Sequence, residues 1–218
     1  GPLRSDGSTV ALRLRFLAVV GITGALYAAL LFGVLGGAEG FWSGDQGVKL
    51  CQIDSIVESG FSSLEVDYPF ESLDPEWRWA PFGGQFVRVD GRVYSMFPMA
   101  FALLAAVFLL VFGPPGPYLA TIACGGIAVA AAQALIPRRD LAVAGLVTVA
   151  VGVGSPLLVN SLVLWEHAPA VALTTVAVLL GLTASRRESS RLALASGLAV
   201  GVAAWFRNEA VLMARRHV

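Results

Sequence analysis

The sequence predicts an all-α polytopic membrane helix bundle of about five or six transmembrane helices, with an external first loop that carries juxtamembrane helices. Two observations support this fold class. The chain has 218 residues, of which 56% are hydrophobic and 14% are charged, whereas soluble domains are roughly 45–50% apolar. Its mean hydropathy is +0.74, and its apolar residues gather in long runs.

Six apolar runs follow one another along the chain, separated by glycine, proline and charged residues. They cover residues 16–36, 97–112, 118–136, 141–159, 168–184 and 192–206. Residues 1–15 precede them, and we expect a flexible N-terminus or tag there. The run 97–112 is short, begins with "FP" and ends in "GPPGP", whose prolines cannot continue a helix. We predict that it forms a re-entrant or interfacial helix rather than a crossing.

The basic residues set the predicted orientation, because short cytoplasmic loops of membrane proteins collect lysine and arginine. Three basic clusters are present, namely Arg13 with Arg15, "PRRD" at 137–140 and "SRRESSR" at 185–191. All three lie on the cytoplasmic side only if the run 97–112 does not cross. This topology places Asp45, Glu166 and Arg207 on the external face.

The external segment 37–96 is long enough to contain structure outside the membrane. Residues 45–59 space their apolar side chains on one side, which predicts a short amphipathic helix on the bilayer surface. The turn sequence "VDGR" predicts a hairpin from Phe86 to Tyr94.

Asp45 comes directly after the first apolar run, and Lys49 follows four residues later on the same helical face. A carboxylate at the water boundary can act as a general base on an acceptor hydroxyl. The alternative is that Asp45 only caps the helix that begins there.

Two further polar groups interrupt the apolar runs. Glu166 and His167 follow Trp165, and charged groups near hydrocarbon are costly and usually face a cavity. The alternative is a short hydrated loop with Trp165 as an interfacial anchor. Arg207 offers forked donors that suit phosphate, or it forms an interfacial charge pair with Glu209.

Several function classes lack support in the sequence. The net charge is zero, so no basic field indicates a nucleic-acid partner. No Walker phosphate loop, GxGxxG, HExxH, CxxC pair or GxSxG is present, so nucleotide hydrolysis, zinc proteolysis and α/β-hydrolase chemistry are not indicated.

Four segments together resemble the N-terminal membrane module of GT-C superfamily glycosyltransferases, in particular bacterial relatives of dolichyl-phosphate-mannose protein mannosyltransferases. They are "SGDQGVKLCQIDSIVESG" (43–60), "GRVYSMFPMAFALLAAVFLLVFG" (91–113), "LWEHAPAVAL" (164–173) and "AAWFRNEAVL" (203–212). The resemblance extends from about residue 16 to 213, and it rests on the order and spacing of the segments rather than on one motif.

The resemblance implies an enzyme of the bacterial inner membrane that moves a sugar from a polyprenyl-phosphate carrier to a hydroxyl acceptor. The acceptor is a glycan, lipid or protein on the external face. A lipid donor explains the missing nucleotide motif. Family members run far beyond residue 218, so the resemblance also implies a fragment or truncated form whose activity requires the rest of the family fold.

The resemblance also implies site residues. The family's catalytic base is an acidic residue soon after the first helix, which is Asp45 here. Glu166 and His167 match an acidic or histidine-containing site in a later external loop, where they position the acceptor, assist the base or hold a divalent cation. Arg207 suits the donor phosphate. Weaker phosphate candidates, chosen by charge and predicted side alone, are Lys49, Arg78 and Arg88.

Two other function classes remain open from the residues. In a small transporter, Glu166, His167 and Arg207 would line a translocation path. The long external segment and the lack of a visible inverted repeat favour the glycosyltransferase. A non-catalytic, degenerate membrane protein is the third interpretation.

Overall fold

A computed structural model describes residues 6–37, 43–68, 71–76, 78, 84–137, 140–210 and 212. These residues are mostly helical, as predicted. The α-helices are α1 (Asp6–Ala28), α2 (Gly44–Glu58), α3 (Met99–Phe112), α4 (Gly116–Ala134), α5 (Leu141–Gly152), α6 (Leu157–Leu162), α7 (His167–Arg187) and α8 (Ser190–Phe206). A π-helical turn, Ala29–Val34, continues α1, and a 3-10 turn, Asn208–Ala210, follows α8.

Within the described part of the chain, three helical stretches are long and apolar enough to cross a membrane. They are Val10–Val34, Gly116–Ala134 and His167–Arg187. The apolar helices α3, α5 and α8 have 14, 12 and 17 residues, which is less than the roughly 20 that a single crossing needs. The count of five or six crossings therefore stays a prediction.

The first helix is longer than its apolar run. We expected a flexible terminus through residue 15, but α1 begins at Asp6, so residues 6–15 are helical. They contain no proline, and a helix formed in the apolar run extends readily because each added residue gains one hydrogen bond. Residues 1–5 lie outside the described part of the chain.

Both elements predicted in the segment 37–96 are confirmed. The helix predicted over 45–59 is α2, which packs against α3, while its place on the bilayer surface stays a prediction. The hairpin consists of β1 (Phe86–Val89) and β2 (Arg92–Ser95), paired antiparallel. Asp90 and Gly91 connect the strands with φ of 50° and 79°, and positive φ at both turn residues is typical of a two-residue hairpin.

Helix α4 is central, because it packs against α1, α3, α5, α6 and α7. Two glycines permit this close packing. A Cβ atom at Gly125 would lie 2.2 Å from Ser161 Oγ and 2.9 Å from Tyr27 Cε2, and one at Gly126 would lie 3.0 Å from the carbonyl oxygen of Val20. Side chains at these positions would push α1 and α6 away from α4.

The apolar run 141–159 is not one helix, because it breaks between α5 and α6. The carbonyl of Gly152 would normally accept from the N–H four residues later, but Pro156 has none. The hydroxyl of Tyr27 donates to that carbonyl instead, at 2.6 Å. A second bond, from Thr121 Oγ1 to the carbonyl of Ser161 at 2.9 Å, attaches α6 to α4.

Two pairs of long helices, α1 with α4 and α7 with α8, are antiparallel. Arg15 Nε donates to Gln133 Oε1 at 2.9 Å, and Gly126 approaches Val20, so α1 and α4 are antiparallel. In the same way, Ser196 Oγ donates to the carbonyl of Ala177, which joins antiparallel α7 and α8.

Helices α4 and α7 run in the same direction. Their C-terminal residues Gln133 and Arg186 line one cavity, while Tyr118 and Ala170 near their N-termini share one apolar cluster. The bundle therefore has two ends. The charged end is defined by Lys49, Glu166, His167 and Arg207, and the arginine end by Arg15, Gln133 and Arg186.

Both ends of α3 lie near the charged end. Phe101, in its first turn, packs with Ile53 of α2 and Tyr118 of α4. At its other end, a Cβ atom at Gly116 would lie 2.1 Å from the carbonyl oxygen of Phe108, so α4 begins directly against the last turns of α3. Whether α3 is re-entrant, interfacial or crossing stays a prediction.

Candidate functional site

A buried ion pair connects α2 to the start of α7. Lys49 Nζ donates to Glu166 Oε2 at 2.5 Å, and the two side chains are 2% and 10% exposed. The ammonium group also lies 4.4 Å from the ring centroid of Phe97 and 5.8 Å from that of Phe101, where aromatic faces attract cations. A carboxylate and two rings therefore surround Lys49.

Burial dominates the ionisation of Lys49. It lowers the pKa of this side chain below its ordinary value of 10.5, because the charged form loses water. The hydrogen bond and charge of Glu166, and the charge of Asp45, raise this pKa again but only in part, while Arg207 lowers it. Asp45 and Arg207 thus both lie within electrostatic reach of the ammonium group.

Arg207, where α8 ends, is held on two sides. Its Nη2 and Nε atoms donate to the two carboxylate oxygens of Glu209, at 2.6 Å and 3.2 Å. Its Nη1 atom lies 3.7 Å from Glu166 Oε1 and 2.6 Å from His167 Nε2. The same Nη1 atom lies 3.3 Å from His167 Nδ1, and because a guanidinium group only donates, the imidazole faces it as an acceptor.

The start of α7 explains why Glu166 and His167 are adjacent. Glu166 precedes the helix and its carbonyl accepts from Ala170 N, while Pro169 in the first turn needs no hydrogen-bond partner. A carboxylate is favourable at this position because the helix N-terminus is partly positive. The Trp165 ring packs 5.3 Å from the His167 ring, which fixes the imidazole from the other side.

Asp45 lies beside the ion cluster rather than within it. Its carboxylate Oδ1 accepts from Gln85 Nε2 at 2.6 Å, so the hairpin orients it. The side chain is partly exposed. Asp45 is not the N-cap residue of α2, because Ser43 holds that position and Asp45 lies within the first turn.

The structure does not bring Arg78 to the charged end. Its guanidinium pairs with Glu76 at 2.5 Å, and the two side chains are 71% and 66% exposed. Its backbone N–H donates to Asp74 Oδ1, so the contacts described for Arg78 lie within its own loop. Arg88 is on β1, opposite Val93.

Some residues of the site escaped sequence reasoning. Lys49 was expected on a phosphate, but its partner is Glu166, 117 positions along the chain. The aromatic partners Phe97 and Phe101 were missed, because Phe97 precedes α3 and helical spacing does not relate the two rings. Nothing in the sequence around Gln85 indicated that its side chain would bind Asp45. One available signal was that Lys49 is the sole lysine of the chain.

A divalent cation does not fit the pair Glu166 and His167. Both side chains face cationic groups, those of Lys49 and Arg207, which repel a metal ion. Within the described ranges, no three His, Cys, Asp or Glu side chains lie together as a metal-binding group. The site therefore has the character of an ion-pair network.

An apolar groove of about 1030 Å³ runs between α7 and α8. Small and apolar residues line most of it, including Ala177, Gly181 and Gly197. At one end it reaches Ala204, which is one helical turn before Arg207. The groove thus leads along the bundle toward the charged end.

The site combines a partly exposed carboxylate, a buried ion pair and a forked cation beside an imidazole. Such an arrangement can accept a proton from a hydroxyl at Asp45 and stabilise an anion at Arg207. In comparisons with known proteins, no family model, no curated protein and no solved structure matches the chain at a significant level.

Proposed function

We propose that the chain is a multi-pass protein of a bacterial inner membrane that moves a sugar from a polyprenyl-phosphate carrier to a hydroxyl acceptor. One observation carries this proposal: Lys49, Glu166 and Arg207 meet at one end of an apolar bundle, although they come from α2, α7 and α8. Charges near hydrocarbon are costly and are usually retained for function. The resemblance to GT-C glycosyltransferases selects the same residues.

The antiparallel helix pairs support several crossings. Helices α1, α4, α7 and α8 each extend between the two ends of the bundle. Helices α5 and α6 together span the same distance once more. Basic residues belong on the cytoplasmic side, so the arginine end faces the cytoplasm. The charged end then faces outward, where a lipid-linked sugar is used.

In the proposed reaction, the acceptor hydroxyl donates its proton to Asp45. The hydroxyl oxygen attacks the anomeric carbon while the bond from that carbon to the phosphate oxygen breaks. The new glycosidic bond forms with inversion, and the polyprenyl phosphate leaves with the electron pair. Gln85 orients Asp45 by donating to its Oδ1 atom, which leaves the other carboxylate oxygen for the acceptor.

Arg207 stabilises the departing phosphate. Its side chain is 30% exposed, so an incoming phosphate can reach it, and Glu209 and His167 fix its orientation. Preorganised donors of this kind stabilise developing charge strongly. The prenyl chain then follows the groove between α7 and α8.

Lys49 takes a different role from the one expected from its charge. Its ammonium group is buried and paired with Glu166, so it positions that carboxylate rather than binding the donor. Glu166 in turn lies 3.7 Å from Arg207 and adds negative charge that holds the guanidinium in place.

The test is sugar transfer in proteoliposomes. The natural gene product that contains this chain is incubated with radiolabelled polyprenyl-phosphate sugars and hydroxyl acceptors. We expect Asp45→Asn to lower transfer by about 100-fold or more, since general bases typically contribute that much. Asp54→Asn is the matched control, because Asp54 is an exposed carboxylate on the same helix.

Two results would overturn the proposal. One is full transfer by a folded Asp45→Asn variant, which removes the assigned base. The other is solute flux into proteoliposomes without any lipid-linked sugar, combined with no transfer by the wild type, which would identify a transporter.

A further inference from the structure

A second polar cavity lies at the arginine end, away from the proposed reaction. It has a volume of about 300 Å³ and opens between α1, α4 and α7. Arg15, Gln133 and Arg186 provide its polar groups, and no carboxylate lines it among the described residues. The remaining lining residues are Leu12, Phe16, Ala130, Ala134, Leu135, Ile136 and Pro137.

A chain of hydrogen bonds fixes Arg15 in this cavity. Its Nε atom donates to Gln133 Oε1 at 2.9 Å, and Gln133 Nε2 donates to Thr148 Oγ1 at 2.8 Å. Thr148 Oγ1 donates in turn to the carbonyl of Ala144. Gln133 therefore presents its oxygen to Arg15, and the guanidinium is held through one nitrogen while its terminal nitrogens are left for another partner.

The two cations of the cavity have no anionic partner among the described residues. Arg15 bonds a neutral amide there, and the ion pairs within the same ranges leave out both Arg15 and Arg186. Two guanidinium groups beside one cavity repel each other, and that repulsion is relieved when an anion lies between them.

A helix terminus accounts for Arg186, which lies in the last turn of α7, but not for Arg15. Cations are favourable near the C-termini of α4 and α7, which both end here. The last carbonyls of α4 are already used, because those of Ala132 and Gln133 accept from Leu135 N and Ile136 N. Arg15 belongs to α1, nine residues after that helix begins, so it does not complement the terminus of its own helix.

We propose that this cavity binds the phosphate group of an anionic phospholipid at the cytoplasmic membrane surface. Arg15 and Arg186 donate to the phosphate oxygens, as forked guanidinium groups do well, and Gln133 holds Arg15 in place. Leu12 and Phe16 lie at the same cavity and contact the acyl chains. This inference rests on the proposed orientation, in which the arginine end faces the cytoplasm, and not on the proposed sugar transfer.

The test measures lipid retention by the purified chain. Protein in nanodiscs of phosphatidylcholine, with or without phosphatidylglycerol, is released and examined by native mass spectrometry. We expect one phosphatidylglycerol to remain bound to the wild type. In Arg15→Gln/Arg186→Gln, we expect the fraction of protein that retains this lipid to fall by about tenfold or more, as for other charge-assisted sites. Arg187→Gln/Arg191→Gln is the matched control, because it removes the same charge at the same end from residues that do not line the cavity.

Three outcomes would overturn the inference. Equal losses in both double variants indicate diffuse surface charge, and equal retention of the two lipids by the wild type indicates no anion site. Displacement of the lipid by inorganic phosphate at equal concentration identifies a soluble anion as the ligand. If Arg15→Gln prevents folding, Arg186→Gln alone serves, since Arg186 is exposed.

The two proposals fail in distinguishable ways. If the membrane placement is wrong, the wild type does not enter nanodiscs at all. If only the sugar transfer is wrong, lipid retention is unaffected, because its measurement requires no donor or acceptor.

Discussion

The two ends of the bundle differ in the partners of their cationic side chains. At the charged end, Lys49 pairs with Glu166 at 2.5 Å and Arg207 with Glu209 at 2.6 Å. At the arginine end, Arg15 is held by the neutral amide of Gln133, and the described residues that line the cavity it shares with Arg186 include no carboxylate. The first end is neutralised by its own residues, whereas the second end is left positive.

This difference indicates what each end requires from outside the protein. The charged end is preorganised, because its ion pairs fix the side chains before any ligand arrives. The arginine end has no carboxylate acceptor among the described residues, so we expect an anion to complete it. This contrast can be measured with substitutions that change the charge pairing at one end of the bundle and leave the other end unaltered.

The largest effect is expected from Glu166→Gln at the charged end. The change leaves the ammonium group of Lys49 buried without a counterion, and breaking a buried ion pair typically costs about 3–5 kcal/mol. The free energy of unfolding in mixed detergent micelles measures this loss. Arg186→Gln at the arginine end is the comparison, and it should leave the unfolding free energy close to that of the wild type. Equal losses at both ends would contradict the contrast.

A smaller effect is expected from Gly125→Ala in the middle of the bundle. The new methyl group would lie 2.2 Å from Ser161 Oγ and 2.9 Å from Tyr27, and overpacking of this kind costs about 1–3 kcal/mol. Gly145→Ala is the matched control, because a methyl group there meets nothing within 4 Å. Thermal unfolding in detergent compares the two. A Gly125→Ala protein as stable as the control would show that α1, α4 and α6 do not pack as closely as described.

The smallest effect concerns the titration of Lys49. Because Lys49 is the chain's sole lysine, ¹³C-labelled lysine gives one resonance whose pH dependence reports its pKa. We expect a pKa below 10.5 in the wild type and a lower one in Glu166→Gln, which loses the partner that raises it. A pKa at or above 10.5 in the wild type would contradict the burial of this side chain.

The same titration has a consequence for stability. Between the lowered folded pKa and 10.5, the unfolded chain binds more protons at this lysine than the folded chain does. The contribution of Lys49 to the free energy of unfolding therefore rises with pH across that window. Lys49→Met should lose this dependence, which the difference between the two unfolding curves would show.

Much of the fold could be predicted because its signals are local. The spacing of apolar residues predicted α2, and the turn residues Asp90 and Gly91 predicted the hairpin. The start of α1 at Asp6 could not be predicted, because helix extension through polar residues depends on the helix that follows. The break after Gly152 follows from Pro156, whose missing N–H lies inside a run that is otherwise uniformly apolar.

The candidate site was predictable only in part. Polar residues in apolar surroundings drew attention to Glu166, His167 and Arg207, and the structure places them together. The pairing of Lys49 with Glu166 could not be predicted, because it joins residues 117 positions apart and depends on how α2 packs. The same limit applies to Arg78, whose local partner Glu76 keeps it on an exposed loop.

The hydrogen bond from Tyr27 to Gly152 has a consequence for biogenesis. A carbonyl without a partner is costly in hydrocarbon, and Pro156 leaves the Gly152 carbonyl without its usual one. Tyr27 provides the replacement, and it belongs to α1, which precedes α5 and α6 in the chain. In a bilayer, we expect the broken segment formed by α5 and α6 to become stable only once α1 is beside it, so that an earlier helix satisfies a backbone group of a later one.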